Sequence, residues 1–598
     1  MKNRTLFLIL ILILVNHSVK AQSFINSDDY LINGYSQKIA GLDYDYQSCI
    51  PGLRESLLLR AINGKDYIEW ETEPAPLITG KKYAAFIWVA ALGSSPGRAK
   101  MDLTVNESEN YSFYTDGQAG WEVKNIDGSS LSFNSIMVDQ NGDHHGYMIL
   151  RIPVKKLAAN KPLRVRVTGS KSNLTSWYMT FKKPVKTGVT MRSFPAIIRK
   201  GSTQLQLVET AVFYFGKESD AKVYADGKLI ETIHLKFGYN TINLGLPPVS
   251  KHTLTELKVV VGDFSMKNQV SLDPVRKWKI KFIQHTHTDI GYTRSQTEIL
   301  AEHLRYIDYA LDYCDATDNY PDDAKFRWTC EAAWPVDEYL KCRPASQIER
   351  LIKRIKEGRI EVTAMYYNFD EIPDEKILAA SLAAAGRIKE KGIPVTLAMQ
   401  DDVNGIGWCL NDYFNQMGVK YLNMGTHGHR ALICFDKPTM FWWESPSGKR
   451  LLTFRAEHYM TGNTVLEMQS GDINRFQNNL FNYLITLDAK KYPYDEMAIQ
   501  HSGYLTDNSP PSTISSDLIK QWNELFVWPK LSTSLAETFF SDMEKDHGSE
   551  FPVIRGAWPD WWTDGFGASA RETATARLAS STLIANEAGW SGQFAIFR

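Results

Sequence analysis

The chain has 598 residues, 67 of them Lys or Arg and 68 Asp or Glu. That length is too great for one hydrophobic core and predicts roughly two to four domains. The balanced charge argues against nucleic acid and against an anionic membrane surface as partners, and six scattered cysteines without a CxxC exclude a dense disulfide framework and a thiolate zinc site.

Residues 1–21 read as a signal peptide: Lys2 and Arg4, an apolar run over 6–15, then Val19-Lys20-Ala21 ahead of Gln22. The run is too short to span a bilayer comfortably, and no later run is long enough. The expectation is an exported protein, periplasmic or extracellular, without stable membrane insertion. From 22 to 185, short runs such as 83–89, 147–152 and 163–168 mix alternation with apolar stretches between Gly, Asn and Asp clusters, which predicts a β-sandwich domain. A second β-rich domain is expected over 186–275, with a hairpin turning at Asp226-Gly227.

After Lys277 the pattern changes to strand-then-helix units. Strand-like runs at 279–283, 325–329, 359–364 and 394–399 precede helices predicted over 296–313, 336–356, 375–391 and 408–416, and another strand follows at 421–424. Repeated β–α units imply a parallel sheet with helices outside it, and such folds gather their sites at the C-terminal strand ends. Residues 276–598 are therefore expected to form an α/β catalytic domain behind two all-β domains.

Polar residues stand at those strand ends. The first ends in His285, His287 and Asp289, which share one face if the extended conformation lasts that far, and imidazole with carboxylate suits Zn²⁺ or a similar divalent ion. The third leads to Asp370 and Glu371, and the fourth to Gln400, Asp401 and Asp402. Their convergence on one mouth is what points to a functional site, because lone loop carboxylates are usually solvated or cap helices, as Asp374 is expected to do. Later come His427, His429, His458 and His501, each of which a buried hydrogen bond would also explain, and an aromatic segment at 558–567 that suits either loop packing or a sugar platform.

These residues carry a resemblance. His285-Thr-His287-Thr-Asp289-Ile-Gly291-Tyr292 resembles the HxHxDxGW motif of glycoside hydrolase family 38, the zinc-dependent retaining α-mannosidases. The segment ending in Asp370-Glu371, then Asp402-Val-Asn-Gly405, then Trp561-Trp562-Thr563-Asp564-Gly565 resemble its later motifs in the same order. The resemblance implies a seven-stranded β/α barrel, a glycan or other oligosaccharide as substrate, and zinc (or another divalent metal) held by His287, Asp289 and Asp370. It also implies Asp370 as catalytic nucleophile, Tyr292 under the sugar, and Asp402 and Trp562 lining the sugar pocket. His285 is then read as a support behind the ligands, with direct ligation as the alternative.

Two departures qualify it. The family's acid/base Asp falls at Gly462, leaving Glu457 as a neighbouring substitute. The family's last zinc ligand, a His, would lie beyond Arg598, so the expectation is a C-terminally truncated domain. Two other readings stand beside this one: an amidohydrolase-type metal hydrolase using His427, His429 or His501, and a carbohydrate-binding remnant without catalysis.

Overall fold

The computed structural model describes residues 29–596 apart from 47, 51–52, 63, 94–98, 140, 171–174, 217, 370–372, 429–432, 506 and 559. The signal-peptide expectation lies outside the described residues. The chain divides into two compact units, one of Met1–Ser193, Val208–Leu244 and Thr253–Leu272, the other of Phe194–Leu207, Gly245–His252 and Asp273–Arg598.

In the first unit, strict alternation builds one sheet of a sandwich. Ala99, Met101, Leu103 and Val105 of strand Ala99–Val105 point inward with Val165 and Val167 of Arg164–Gly169, and the polar residues between them point out. This five-stranded sheet runs in the order Gln37–Ala40, Tyr67–Glu71, Arg164–Gly169, Ala99–Val105, Glu109–Thr115. An eight-stranded sheet supplies the opposite wall, and Trp70, Trp88, Phe113, Phe133 and Tyr178 fill the space between. Its central strand, Tyr83–Leu92, is buried on both faces, because Ile87, Val89 and Ala91 meet a second cluster with Tyr147 and Phe213. The expected hairpin is present: Ala225 pairs with Lys228 across Asp226 and Gly227, whose φ values are 46° and 80°.

The second unit alternates strands and helices. Ile360–Val362, Trp328–Cys330, Lys279–His285 and Glu496–Ser502 lie side by side in parallel, and Lys530–Thr533 pairs with the start of Lys279–His285. A second sheet sets Leu397–Asp401, Tyr421–Gly425 and Arg450–Ala456 in parallel, followed by Thr439–Glu444 and Val553–Arg555. The Ala364 amide donates to the Leu397 carbonyl at 2.8 Å, joining the two sheets. Glu496–Ser502 is buried at every position, as a parallel strand covered on both faces should be.

The helix expected over 336–356 is two helices, Ala333–Cys342 and Ala345–Lys356. Pro344 explains the break: its ring forces the residue before it out of the helical region, and Arg343 sits at φ −87°, ψ 152°. Asp374 caps its helix as expected, accepting from the Ile377 amide at 2.9 Å. One carboxylate ties a strand to a helix start. Glu361 accepts the Thr329 hydroxyl and the Ala536 amide, both at 2.5 Å, and the Glu537 amide at 3.1 Å. Those amides begin helix Ala536–His547, where backbone N–H groups lack helical partners. Among the described residues no helix is long and apolar enough to cross a membrane.

Candidate metal centre

The parallel ladders put the strand ends at one level. His285 pairs with Ser502 on one side and Thr329 on the other, while Asp401, Gly425 and Ala456 align across the second sheet. Each chain then leaves its strand into a loop, and the loops surround a cavity of about 760 Å³. His287, Asp289, Tyr292, Asp402 and Trp562 all line it, together with His427, Tyr459 and Asp507. Asp370 and His429 lie outside the described residues.

His285 does not reach the cavity. It is fully buried, with Nδ1 2.6 Å from Glu331 Oε2 and 3.3 Å from Asp401 Oδ2, and Nε2 2.8 Å from the Tyr459 carbonyl. Glu331 and the Tyr459 carbonyl are both acceptors, so each ring nitrogen carries a proton. Burial opposes that charge, but Asp401 and Glu331 outweigh it and raise the pKa of His285. Glu331 is held well below its ordinary value, because His287 and His285 overcome the cost of burial. Asp401 is pushed well above its ordinary value, first by burial and then by Glu331, against the pull of His285. The pair therefore keeps its proton on Asp401 and its negative charge on Glu331.

Glu331 in turn sets His287. Its Oε1 takes His287 Nδ1 at 2.9 Å, the Thr288 amide at 3.1 Å and Asn368 Nδ2 at 2.6 Å. With Nδ1 so engaged, Nε2 faces the cavity, buried and without a hydrogen-bond partner. Asp289 Oδ1 lies 3.3 Å from it, Asp507 Oδ1 3.9 Å and Asp402 Oδ2 4.0 Å. Asn508 pins Asp289 from behind, accepting its amide at 3.0 Å and donating to Oδ2 at 2.8 Å, which leaves Oδ1 turned inward.

This donor set fits a divalent cation. One imidazole nitrogen and carboxylate oxygens converge, the histidine is oriented by an outer carboxylate, and the buried nitrogen has no other partner. His287, Asp289 and Asp507 offer ligand atoms within 4.8 Å of one another. The protonation pattern agrees. Burial, with Asp289 and Asp402, lifts Asp507 above its ordinary value despite His287, while His287 and Asn508 hold Asp289 low despite burial. His285, Glu331 and Asp401 form a second grouping of this kind, fully buried beneath the first. Each grouping holds one histidine.

Asp402 is placed by its backbone. At φ 65° its amide donates to the Gly425 carbonyl at 2.8 Å, and its side chain meets His427 Nδ1 at 2.8 Å. Gly425 has no alternative there: a Cβ would lie 2.0 Å from Asp401 Oδ1 and 2.6 Å from the Tyr459 Cβ. The aromatic segment closes this wall through main-chain carbonyls. Trp562 Nε1 donates to the Asp402 carbonyl and Trp561 Nε1 to that of His427, each at 3.1 Å, and Asp560 accepts the Asn404 amide at 3.2 Å. The Trp561 and Trp562 rings stack with centroids 4.4 Å apart. Tyr292 stands at the rim, 82% exposed.

Glu457 does not join the site. It lines a separate hollow with Asn479, Tyr483 and Lys490. Gly462 has no room for an acid either, since a Cβ would meet the His501 Cβ at 2.6 Å. Glu331, Asp507, Tyr459 and Asn368 are the residues that sequence reasoning missed. Glu331 directly follows strand Trp328–Cys330 and Asp507 follows Glu496–Ser502, so the strand-end rule applied to every strand would have found both.

No curated protein matches the chain. Among solved structures, an α-mannosidase from Enterococcus faecalis V583 is 16% identical over 47% of this chain and 31% of its own, with a TM-score of 0.39. A glycosyl hydrolase family 38 protein from Enterococcus faecalis is 15% identical over 47% of this chain and 29% of its own, at 0.32. A 4-α-glucanotransferase from Thermococcus litoralis is 10% identical over 47% and 40%, at 0.30. The chain thus spans less than half the length of each of these proteins. Residues 277–557 match the family described as glycosyl hydrolases family 38, N-terminal domain, and that segment holds His287, Asp289, Asp402 and Asp507 together with the carboxylate, Glu331, that orients the histidine.

Proposed function

We propose that the chain is an exported, metal-dependent glycoside hydrolase of the retaining α-mannosidase type, acting on α-mannosidic linkages of an oligosaccharide or glycan. The observation that carries this reading is the buried, unpartnered Nε2 of His287 facing three carboxylates at the strand ends of a family 38-like segment. In this reading the seven parallel strands from Lys279–His285 to Glu496–Ser502 close as a barrel, and the β-rich stretches 22–185 and 186–275 are supporting domains.

His287, Asp289 and Asp507 would hold zinc or another divalent ion, with Asp370 as a further ligand. When bound, the ion supplies a Lewis acid that orients and polarises ring hydroxyls of the sugar. The chain supplies the rest. Tyr292 and Trp562 offer apolar faces to the sugar ring. By the resemblance, Asp370 attacks the anomeric carbon while a second carboxyl protonates the departing glycosidic oxygen, and that carboxyl then takes a proton from the water that displaces Asp370 from the sugar. With Asp507 engaged as a ligand, Asp402 is the cavity carboxyl left for that proton transfer, and His427 fixes its angle.

The test is hydrolysis of an aryl α-mannoside by chelator-stripped protein with and without added Zn²⁺. Zinc-dependent release with retained anomeric configuration is expected, with loss in Asp370→Asn. Asp402→Asn should keep its zinc and lose activity most on substrates with poor leaving groups. Sugar binding without turnover in the unmutated chain would instead establish a carbohydrate-binding remnant, and absence of metal binding would sink the assignment.

A further inference from the structure

The outer face of the five-stranded sheet carries a second cleft, in the first unit. Glu69 pairs with Arg166, Arg166 with Thr104, and Thr104 with Asn110, so four side chains stand in one row across four adjacent strands. Arg164 and Glu107 complete a hollow of about 420 Å³, within the roughly 300–1,000 Å³ of small-molecule sites.

Part of this face is an internal ion-pair network. Arg164 Nε lies 2.5 Å and Arg166 Nη2 3.1 Å from the Glu69 carboxylate, whose side chain is only 2% exposed. Two features go beyond what that network needs. Arg166 Nε is shielded from solvent and has no hydrogen-bond partner. Glu107 occupies a backbone position that a side chain resists: the Val105–Ser108 turn closes with the Ser108 amide on the Val105 carbonyl, and its central residues, Asn106 and Glu107, have φ of 48° and 61°. Such turns favour Asn followed by Gly. Glu107 sits where Gly is favoured; it lines the hollow with the two arginines, and its charge acts on Arg164.

We propose that this cleft binds a neutral sugar unit through its hydroxyl groups. Two guanidinium groups and two carboxylates balance in charge, so neither an anion nor a cation is favoured. What remains is a close alternation of donors (Arg164, Arg166) and acceptors (Glu107, the Thr104 oxygen, and the second lone pair of Asn110 Oδ1, which already takes the Thr104 hydroxyl at 2.7 Å), and a hydroxyl does both. Arg166 already covers the Tyr67 ring, its Cζ 4.6 Å from the centroid, so the site recognises hydroxyls without a free aromatic platform. Binding at about the millimolar level follows from so few contacts.

The proposal is independent of the metal centre, and its test keeps the two apart. The full chain carrying His287→Ala is run in native gels cast with α-mannan, with dextran, or with polygalacturonate as the anionic control. Retardation by a neutral polysaccharide is expected, reduced at least fivefold by Glu107→Gly and by Asn110→Ala. Glu107→Gly relieves the turn, so its thermal midpoint should hold or rise, which separates lost binding from lost fold. Equal retardation of parent and both variants, or no retardation by either neutral polysaccharide, overturns the site. Stronger retardation by polygalacturonate overturns the ligand class.

Discussion

Replacing Glu331 with Gln should weaken zinc binding without unfolding the protein. The carboxylate takes three donors on Oε1, from His287, Thr288 and Asn368, and one on Oε2, from His285. A glutamine has the same length and can place its carbonyl oxygen at the Oε1 position. Its NH₂ then faces His285 Nδ1, which can shed its proton and accept while Nε2 continues to donate to the Tyr459 carbonyl. The network stays paired, and one negative charge and one positive charge leave together. What is lost is the anion behind His287, which fixes the ring and makes Nε2 a stronger donor to a cation. Losing such an outer partner typically costs about 10–100-fold in metal affinity, or about 1.4–2.7 kcal/mol. Competition against a fluorescent zinc chelator reads the affinity, and melting of the metal-free proteins reads the fold. Affinity within twofold of the parent, at unchanged apo stability, would refute the clamp. A fall in apo stability matching the loss of affinity would reduce Glu331 to scaffold.

Zinc at about 100 times its Kd should stabilise the protein by about 2.7 kcal/mol, seen as a raised thermal midpoint that a chelator abolishes; no shift would mean no site. His287 is raised well above its ordinary value although burial opposes the charge, because Glu331 and Asp289 favour it. Metal must therefore displace a proton, and calorimetry in buffers of different ionisation enthalpy should show proton release that grows as pH falls. Burial lifts Glu361 from 4.5 to about 7 despite its hydrogen bonds, so the folded state binds the extra proton between those values. Stability from this group is present below about pH 4.5 and declines through pH 7, by a total on the order of 3 kcal/mol, and Glu361→Gln should flatten that slope in denaturant titrations. Gly425→Ala forces a methyl onto Asp401 and Tyr459 and should destabilise by about 1–3 kcal/mol while weakening zinc binding; a neutral result would contradict the packing described.

Much of the site was legible because it follows short-range rules. HTHTD at the end of an apolar run marks a strand that opens on the cavity, and Asp402 follows the same rule one sheet away. Glu331 escaped although a strand was expected at 325–329, because the strand runs on to Cys330 and the carboxylate directly after it was not read as a strand-end residue. Asp507 escaped because it stands five residues past Ser502, and its place beside His287 depends on how that loop folds. The single helix expected over 336–356 failed for a different reason. Its periodicity continues through Arg343-Pro344, and the proline stops the helix without disturbing the apolar pattern. The departure at Gly462 was legible only as an absence, whereas the structure gives its cause: the backbone there packs directly on His501.

The turn bearing Trp561 and Trp562 is fastened to the pocket by carbonyl oxygens, not by the side chains it borders. Substituting those side chains leaves the fastening intact, yet any displacement of the indoles pulls on the peptide units of Asp402 and His427. The aromatic wall is therefore joined directly to the backbone that carries Asp402 and His427. The place of the indoles and the place of the Asp402 peptide are set by the same contact.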